Sequence, residues 1–229
     1  MKRINRNPFW RFLSSIIRVF TKKPKYVFLG EEFKDQSLYV SNHVGAKVPL
    51  ALELYFPKLF RFWGVHSMND NFKARYKYLS ITYFHEKKHM NKTLARIIAV
   101  VATPVLGVFY WGIRLLPTYN DARLIPTIRK SIDILKENQS IVIFPEDSSN
   151  GYHDVLTHYF PGFVLLAKKA FQQGIDLDIY NMYFQKKHRR FIVDKPIKYS
   201  ELIKQNISGD EIAEMFRVRA NELGQMTEF

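Results

Sequence analysis

Short apolar runs closed abruptly by polar residues recur along this chain of 229 residues, and they restrict it to few folds. Leu38-Tyr39-Val40 runs into Ser41-Asn42-His43, and Ile141-Val142-Ile143 runs into Phe144-Pro145-Glu146-Asp147. An apolar run of that length with a polar boundary is a buried strand. Other stretches carry apolar residues at steps of three and four. From Asp121 to Glu137, for example, Leu124, Ile125, Ile128, Ile132 and Leu135 share one helix face. The patterns predict strands near 38–41, 60–65, 112–117, 140–144, 177–184 and 190–194. Helices are expected near 47–56, 121–137 and 162–173, with a short one from about Gly209. Such alternation predicts an α/β fold, a mostly parallel sheet covered by helices on both faces, in one domain over 26–229.

Residues 1–25 stand apart. They hold Lys2, Arg3, Arg6, Arg11, Arg18, Lys22, Lys23 and Lys25 and no acid. Phe9, Phe12, Leu13, Ile16, Ile17 and Phe20 recur at helical spacing among them. The segment reads as an N-terminal basic amphipathic helix suited to a membrane interface. Charge interrupts its apolar positions and no small-residue cleavage site follows, so it is not a signal peptide. The whole chain carries 35 basic and 21 acidic residues, a net charge of +14, which favours an anionic partner. Because the basic residues gather beside an apolar stripe and no nucleic-acid motif is present, the expected partner is an anionic membrane surface rather than nucleic acid. The absence of cysteine excludes disulfides, thiolate zinc sites and a cysteine nucleophile.

Ile97 to Ile113 is uncharged but contains Pro104 and Gly107. A membrane span needs roughly 20 apolar residues. We expect a buried or shallow-membrane helix that breaks near Pro104, ahead of a true span.

Each polar motif follows a strand end, which is where open α/β sheets place their chemistry. A histidine there can take a proton from an attacking alcohol. It does so best when a carboxylate holds its other ring nitrogen. His43 and Glu146 are thus expected in one cleft. His85-Glu86-Lys87-Lys88-His89 imitates a zinc-protease string, but its lysines make a basic surface turn the expectation, and no metal or redox cofactor is demanded.

The motifs resemble those of the glycerolipid acyltransferase family, whose best-known members acylate 1-acylglycerol-3-phosphate. Beyond Asn42-His43 and Phe144-Pro145-Glu146, the resemblance extends through Leu116-Pro117-Thr118, Phe160-Pro161-Gly162, Ile179-Tyr180-Asn181-Met182 and Lys195-Pro196-Ile197. It implies a fatty acyl transfer from acyl-CoA or acyl carrier protein to a hydroxyl of a lysophospholipid or similar lipid, within phospholipid biosynthesis. His43 would be the general base. The family motif continues with an Asp five residues after the His, where this chain has Val48; it follows Phe-Pro-Glu with Gly, where this chain has Asp147. Asp147, or else Glu53, is therefore expected to orient His43, the alternative being that Asp147 caps a turn with Ser148. Asn42, Pro145, Glu146, Ser148 and Ser149 are expected to bind substrate. Two family arginines are missing, so Lys47 and Arg123 are the expected stand-ins at the acceptor. The implied location is the cytoplasmic face of the cell membrane, peripheral or monotopic. The alternative is a catalytically inactive relative that binds lipid or membrane.

Overall fold

A computed structural model of the chain describes residue 6 and residues 8–119, 121–148 and 151–228. The described strands are β1 (Lys25–Phe28), β2 (Leu38–Ser41), β3 (Phe60–Val65), β4 (Leu116–Thr118), β5 (Ser140–Ile143), β6 (Asp178–Gln185), β7 (Arg190–Val193) and β8 (Ile197–Lys198). The described α-helices are α1 (Pro8–Phe20), α2 (Lys47–Tyr55), α3 (Phe72–Lys77), α4 (Lys92–Ile113), α5 (Leu124–Lys136), α6 (Gly162–Phe171), α7 (Tyr199–Ile203) and α8 (Gly209–Gln225). The chain is α/β with mostly parallel strand pairing, as the alternation predicts. Contacts gather into two compact units: residues 1–21, 61–127 and 148–152 form the first, and 22–60, 128–147 and 153–229 the second.

In the second unit the strand order is β1-β7-β6-β2-β5, with β8 also on β6. β1 and β7, β6 and β2, and β2 and β5 pair in parallel, while β6 runs antiparallel to β7 and β8. Central strands covered on both faces cannot alternate polar with apolar residues. Leu38, Tyr39 and Val40 are accordingly wholly buried, as are Ile141 and Val142. Phe33, Tyr39, Phe56 and Tyr180 meet edge-on, tilted or stacked against this centre. At its start α8 is held by a reciprocal cap, the Ser208 hydroxyl accepting from the Glu211 N–H and the Glu211 carboxylate from the Ser208 N–H. That cap opens a helix of 17 residues, longer than the short one expected.

In the first unit β3 and β4 pair in parallel. Between them come α3, a π-helical stretch Tyr78–Lys87, and α4. The π-helical turn is a rare geometry with no sequence period of its own, so it was not foreseeable from the pattern. The N-terminal helix is described over Pro8–Phe20, and Lys25, expected within it, instead begins β1.

α4 corrects one expectation and narrows another. It does not break at Pro104 but runs unbroken for 22 residues, which pushes the next strand to Leu116–Thr118. Pro104 lies on the exposed side of the helix. The Thr103 hydroxyl donates to the Ala99 carbonyl at 2.6 Å, adding a bond beside the one that proline deletes. Nor is α4 a buried helix. Its small residues Ala95, Ala99, Thr103 and Gly112 face inward, while Ile97, Val101, Val105 and Trp111 are each more than half exposed. At the end of α4 the guanidinium groups of Arg6 and Arg61 donate to the Ile113 carbonyl, setting cations at the negative end of the helix.

Candidate functional site

Parallel register brings the two motifs together. β2 and β5 are neighbours with Val40 opposite Ile143, so His43 and Glu146 each stand three residues past a matched pair. Both chains leave the sheet at carboxyl ends of adjacent parallel strands. The Glu146 carboxylate, only 9% exposed, accepts the backbone N–H of His43 at 2.8 Å across 103 residues of sequence. A carboxylate acceptor on a part-buried amide makes this a strong hydrogen bond. Phe144 meets the His43 ring edge-on, with centroids 4.9 Å apart. Glu146 therefore fixes the main chain of His43, and the imidazole is half-buried against an aromatic wall.

The flanks of the site are equally tied down. Asn42 is buried and continues the β2–β6 ladder with its side chain. Its Oδ1 accepts from the Phe184 N–H at 2.7 Å and its Nδ2 donates to the Phe184 carbonyl at 3.3 Å. Asn42, expected to bind substrate, thus holds His43 on the strand end. On the other side, Phe160 donates to the Pro145 carbonyl, Glu146 bridges Tyr159, and the Asp147 N–H donates to the His158 carbonyl at 3.1 Å. This short antiparallel pairing sets the direction of the loop that carries Asp147.

Tyr159 is the residue that the sequence reading missed. It is wholly buried beside Glu146, and burial pushes its phenol well above the ordinary 10.0, with the Glu146 charge adding to the shift. Its hydroxyl has no hydrogen-bond partner among the described residues. A lone tyrosine in a loop between His158 and Phe160 carries no periodic signal, so nothing in the sequence marks it as buried. Tyr183, on β6, is likewise pushed up to about 12 by burial.

Val48, five residues after His43, is fully buried on α2. Lys47 begins that helix and is exposed. Glu53 lies half-buried on it. Ser149 lies outside the described residues.

Two of the expected residues belong to the first unit. Ser148 accepts a hydrogen bond from the Lys87 ammonium at 2.7 Å, and Lys88 sits over the Tyr152 ring at 5.1 Å. Arg123 spends its fork on Asp121, with Nε to Oδ1 at 2.9 Å and Nη2 to Oδ2 at 2.7 Å, and holds that carboxyl down at about 2. It also lies over Tyr119, whose other neighbour is the stacked ring of His66. An arginine already paired with a carboxylate is a poor phosphate fork.

His85 and His89 do not share a helix face. The helical stretch ends at Lys87, His85 Nδ1 lies 2.8 Å from the Met90 carbonyl, and His89 has a left-handed backbone. Among the described residues no group of three acidic, histidine or cysteine side chains is placed to hold a metal ion.

Compared with known proteins, the chain matches no family model and no curated protein.

Proposed function

We propose that the chain is a membrane-surface acyltransferase that moves a fatty acyl group from a thioester donor, acyl-CoA or acyl carrier protein, to a hydroxyl of a lysophospholipid-type lipid. One observation carries the reading: the Glu146 carboxylate receives the His43 N–H, so two motifs resembling one acyltransferase family meet at adjacent strand ends. In this reaction the His43 imidazole takes the proton of the acceptor hydroxyl as its oxygen bonds to the acyl carbon. The carbon–sulfur bond then breaks and the proton passes to the leaving thiolate. Glu146 and Asn42 position His43 through the main chain. Asp147 orients the imidazole in place of the family aspartate. Lys47, exposed at the start of α2, is a better holder of an acidic headgroup than the paired Arg123.

A second reading, a silent relative that binds lipid, rests on the buried Val48 at that aspartate's position. Labelled acyl-CoA and acyl carrier protein, each offered with a panel of lysophospholipids, separate the two. The enzyme reading predicts a labelled diacyl product, and Asp147→Asn lowers its formation about as much as His43→Ala does, by about 10²- to 10⁴-fold. Full activity of Asp147→Asn removes Asp147 from the mechanism; no product with any donor favours the silent relative.

A further inference from the structure

The first unit exposes large apolar side chains where a water-facing surface would carry polar ones. On α1 these are Phe9, Phe12, Val19 and Phe20, each more than half exposed. On α4 the exposed stripe contains Ile97, Val101, Val105 and Trp111, again each more than half exposed. The two helices touch: Trp10, only 2% exposed, packs edge-on against Phe109 with centroids 5.1 Å apart and lies directly over Gly112. α4 turns its small residues inward and its large ones outward, the reverse of a helix on a water-soluble core. Contiguous apolar patches of this extent are rare on soluble monomers.

Charge says what covers the patch. α1, α3 and α4 contain no acidic residue, and Arg11, Arg18, Lys92 and Arg96 flank the exposed stripes. Apolar side chains rimmed by cations match the apolar interior and anionic headgroups of a bilayer. A second copy of the chain would bring like charges together.

The helix is also long enough to cross: 22 residues span about 33 Å. Yet its inner face packs on α3 and the π-helical stretch, which carry Lys73, Arg75, Lys77 and Lys87. Arg75 lies against Gly107, in the C-terminal half of the helix and within the length that a span would place in hydrocarbon. A crossing helix would drag these cations into the hydrocarbon at a high cost. We infer that α1 and α4 together form a monotopic docking face, with α4 lying in the plane of one leaflet of an anionic bilayer and not across it.

Flotation of the full chain with phosphatidylcholine vesicles, with and without phosphatidylglycerol, tests the partner. The wild type is expected to float with the anionic vesicles, and the double variant V101E/V105E to lose at least about tenfold in partitioning. V155E/V218E makes the same change of charge at exposed positions of the second unit and keeps binding. Circular dichroism checks that each variant is folded. Failure of the wild type to float, equal loss in both double variants, or concentration-dependent dimers in place of vesicle binding overturns the inference. Because the chain has no cysteine, spin labels at I97C and W111C report depth without background. In-plane docking puts both labels at similar depths, about 5–10 Å below the headgroups. A crossing helix separates them by about 21 Å along the bilayer normal and overturns the in-plane orientation. None of these readouts depends on acyl transfer.

Discussion

At the scale of single residues, the site is built on main-chain positioning. The Glu146 carboxylate holds the His43 N–H and the Asn42 amide holds both polar groups of Phe184, so two buried side chains fix the strand end on which His43 sits. Losing such a partner strands a buried amide, at about 1–3 kcal/mol. Glu146→Ala is therefore expected to lower turnover by about 10- to 100-fold, whereas Glu146→Gln, which keeps an acceptor, retains most of it. Steady-state kinetics on both variants checks this. Equal losses would mean that the charge of Glu146 acts on substrate and not on the His43 main chain. Tyr159 supplies an opposite case, because its buried hydroxyl has no partner among the described residues. Tyr159→Phe should be neutral or stabilising at pH 7, by up to about 1–3 kcal/mol. The sign at high pH follows from linkage. The folded phenol keeps its proton above 10.0 while the unfolded one loses it, so the unfolded state binds fewer protons and stability falls as pH rises past 10. Removing Tyr159 should flatten that alkaline loss, as urea unfolding between pH 8 and about 11 would show. An unchanged slope would place the loss on the other buried tyrosines.

At the scale of elements, α1 and α4 show where tertiary context overrides sequence pattern. The strands were legible because a fully buried strand must be a continuous apolar run, and 38–41 and 60–65 fell where they were expected. The break expected at Pro104 was a misreading, because proline and glycine ordinarily interrupt helices, and the choice between a buried and a shallow-membrane helix stayed open because an apolar run does not say which solvent it faces. Burial of Ala95 and Ala99 beside exposure of Ile97 and Val101 became visible only once the partners of the helix were known. Gly112 is the position on which the α1 contact depends. A Cβ there would stand 2.5 Å from Trp10 Cγ. Gly112→Ala is expected to cost about 1–3 kcal/mol by overpacking and to weaken vesicle binding by displacing α1. Thermal unfolding and flotation measure the two effects, and a variant as stable as the wild type would show that the helices can slide apart freely.

At the scale of the whole molecule, the alternation of strands and helices carried the α/β class, and the strand-end motifs carried the meeting of His43 with Glu146. What could not be read was the division of labour among the expected site residues. Asn42 and Glu146, expected to bind substrate, hold backbone groups, and Arg123, expected at the acceptor, pairs with Asp121, since pairing depends on contacts that no single sequence displays. The net charge of +14 adds a prediction at this scale: binding to anionic vesicles should weaken as salt rises from about 0.05 to 0.5 M, while the apolar contribution persists. A salt-insensitive affinity would leave the basic rim without a role. On the function we propose, His43 is the base of an acyl transfer. Its most direct test compares wild type and His43→Ala, bound equally to the same lysophospholipid-containing anionic vesicles, for transfer of a labelled acyl group from a thioester donor. The account predicts ester formation by the wild type and a loss of about 10²- to 10⁴-fold in His43→Ala. Equal rates in the two proteins, or no ester from a fully bound wild type, would contradict it.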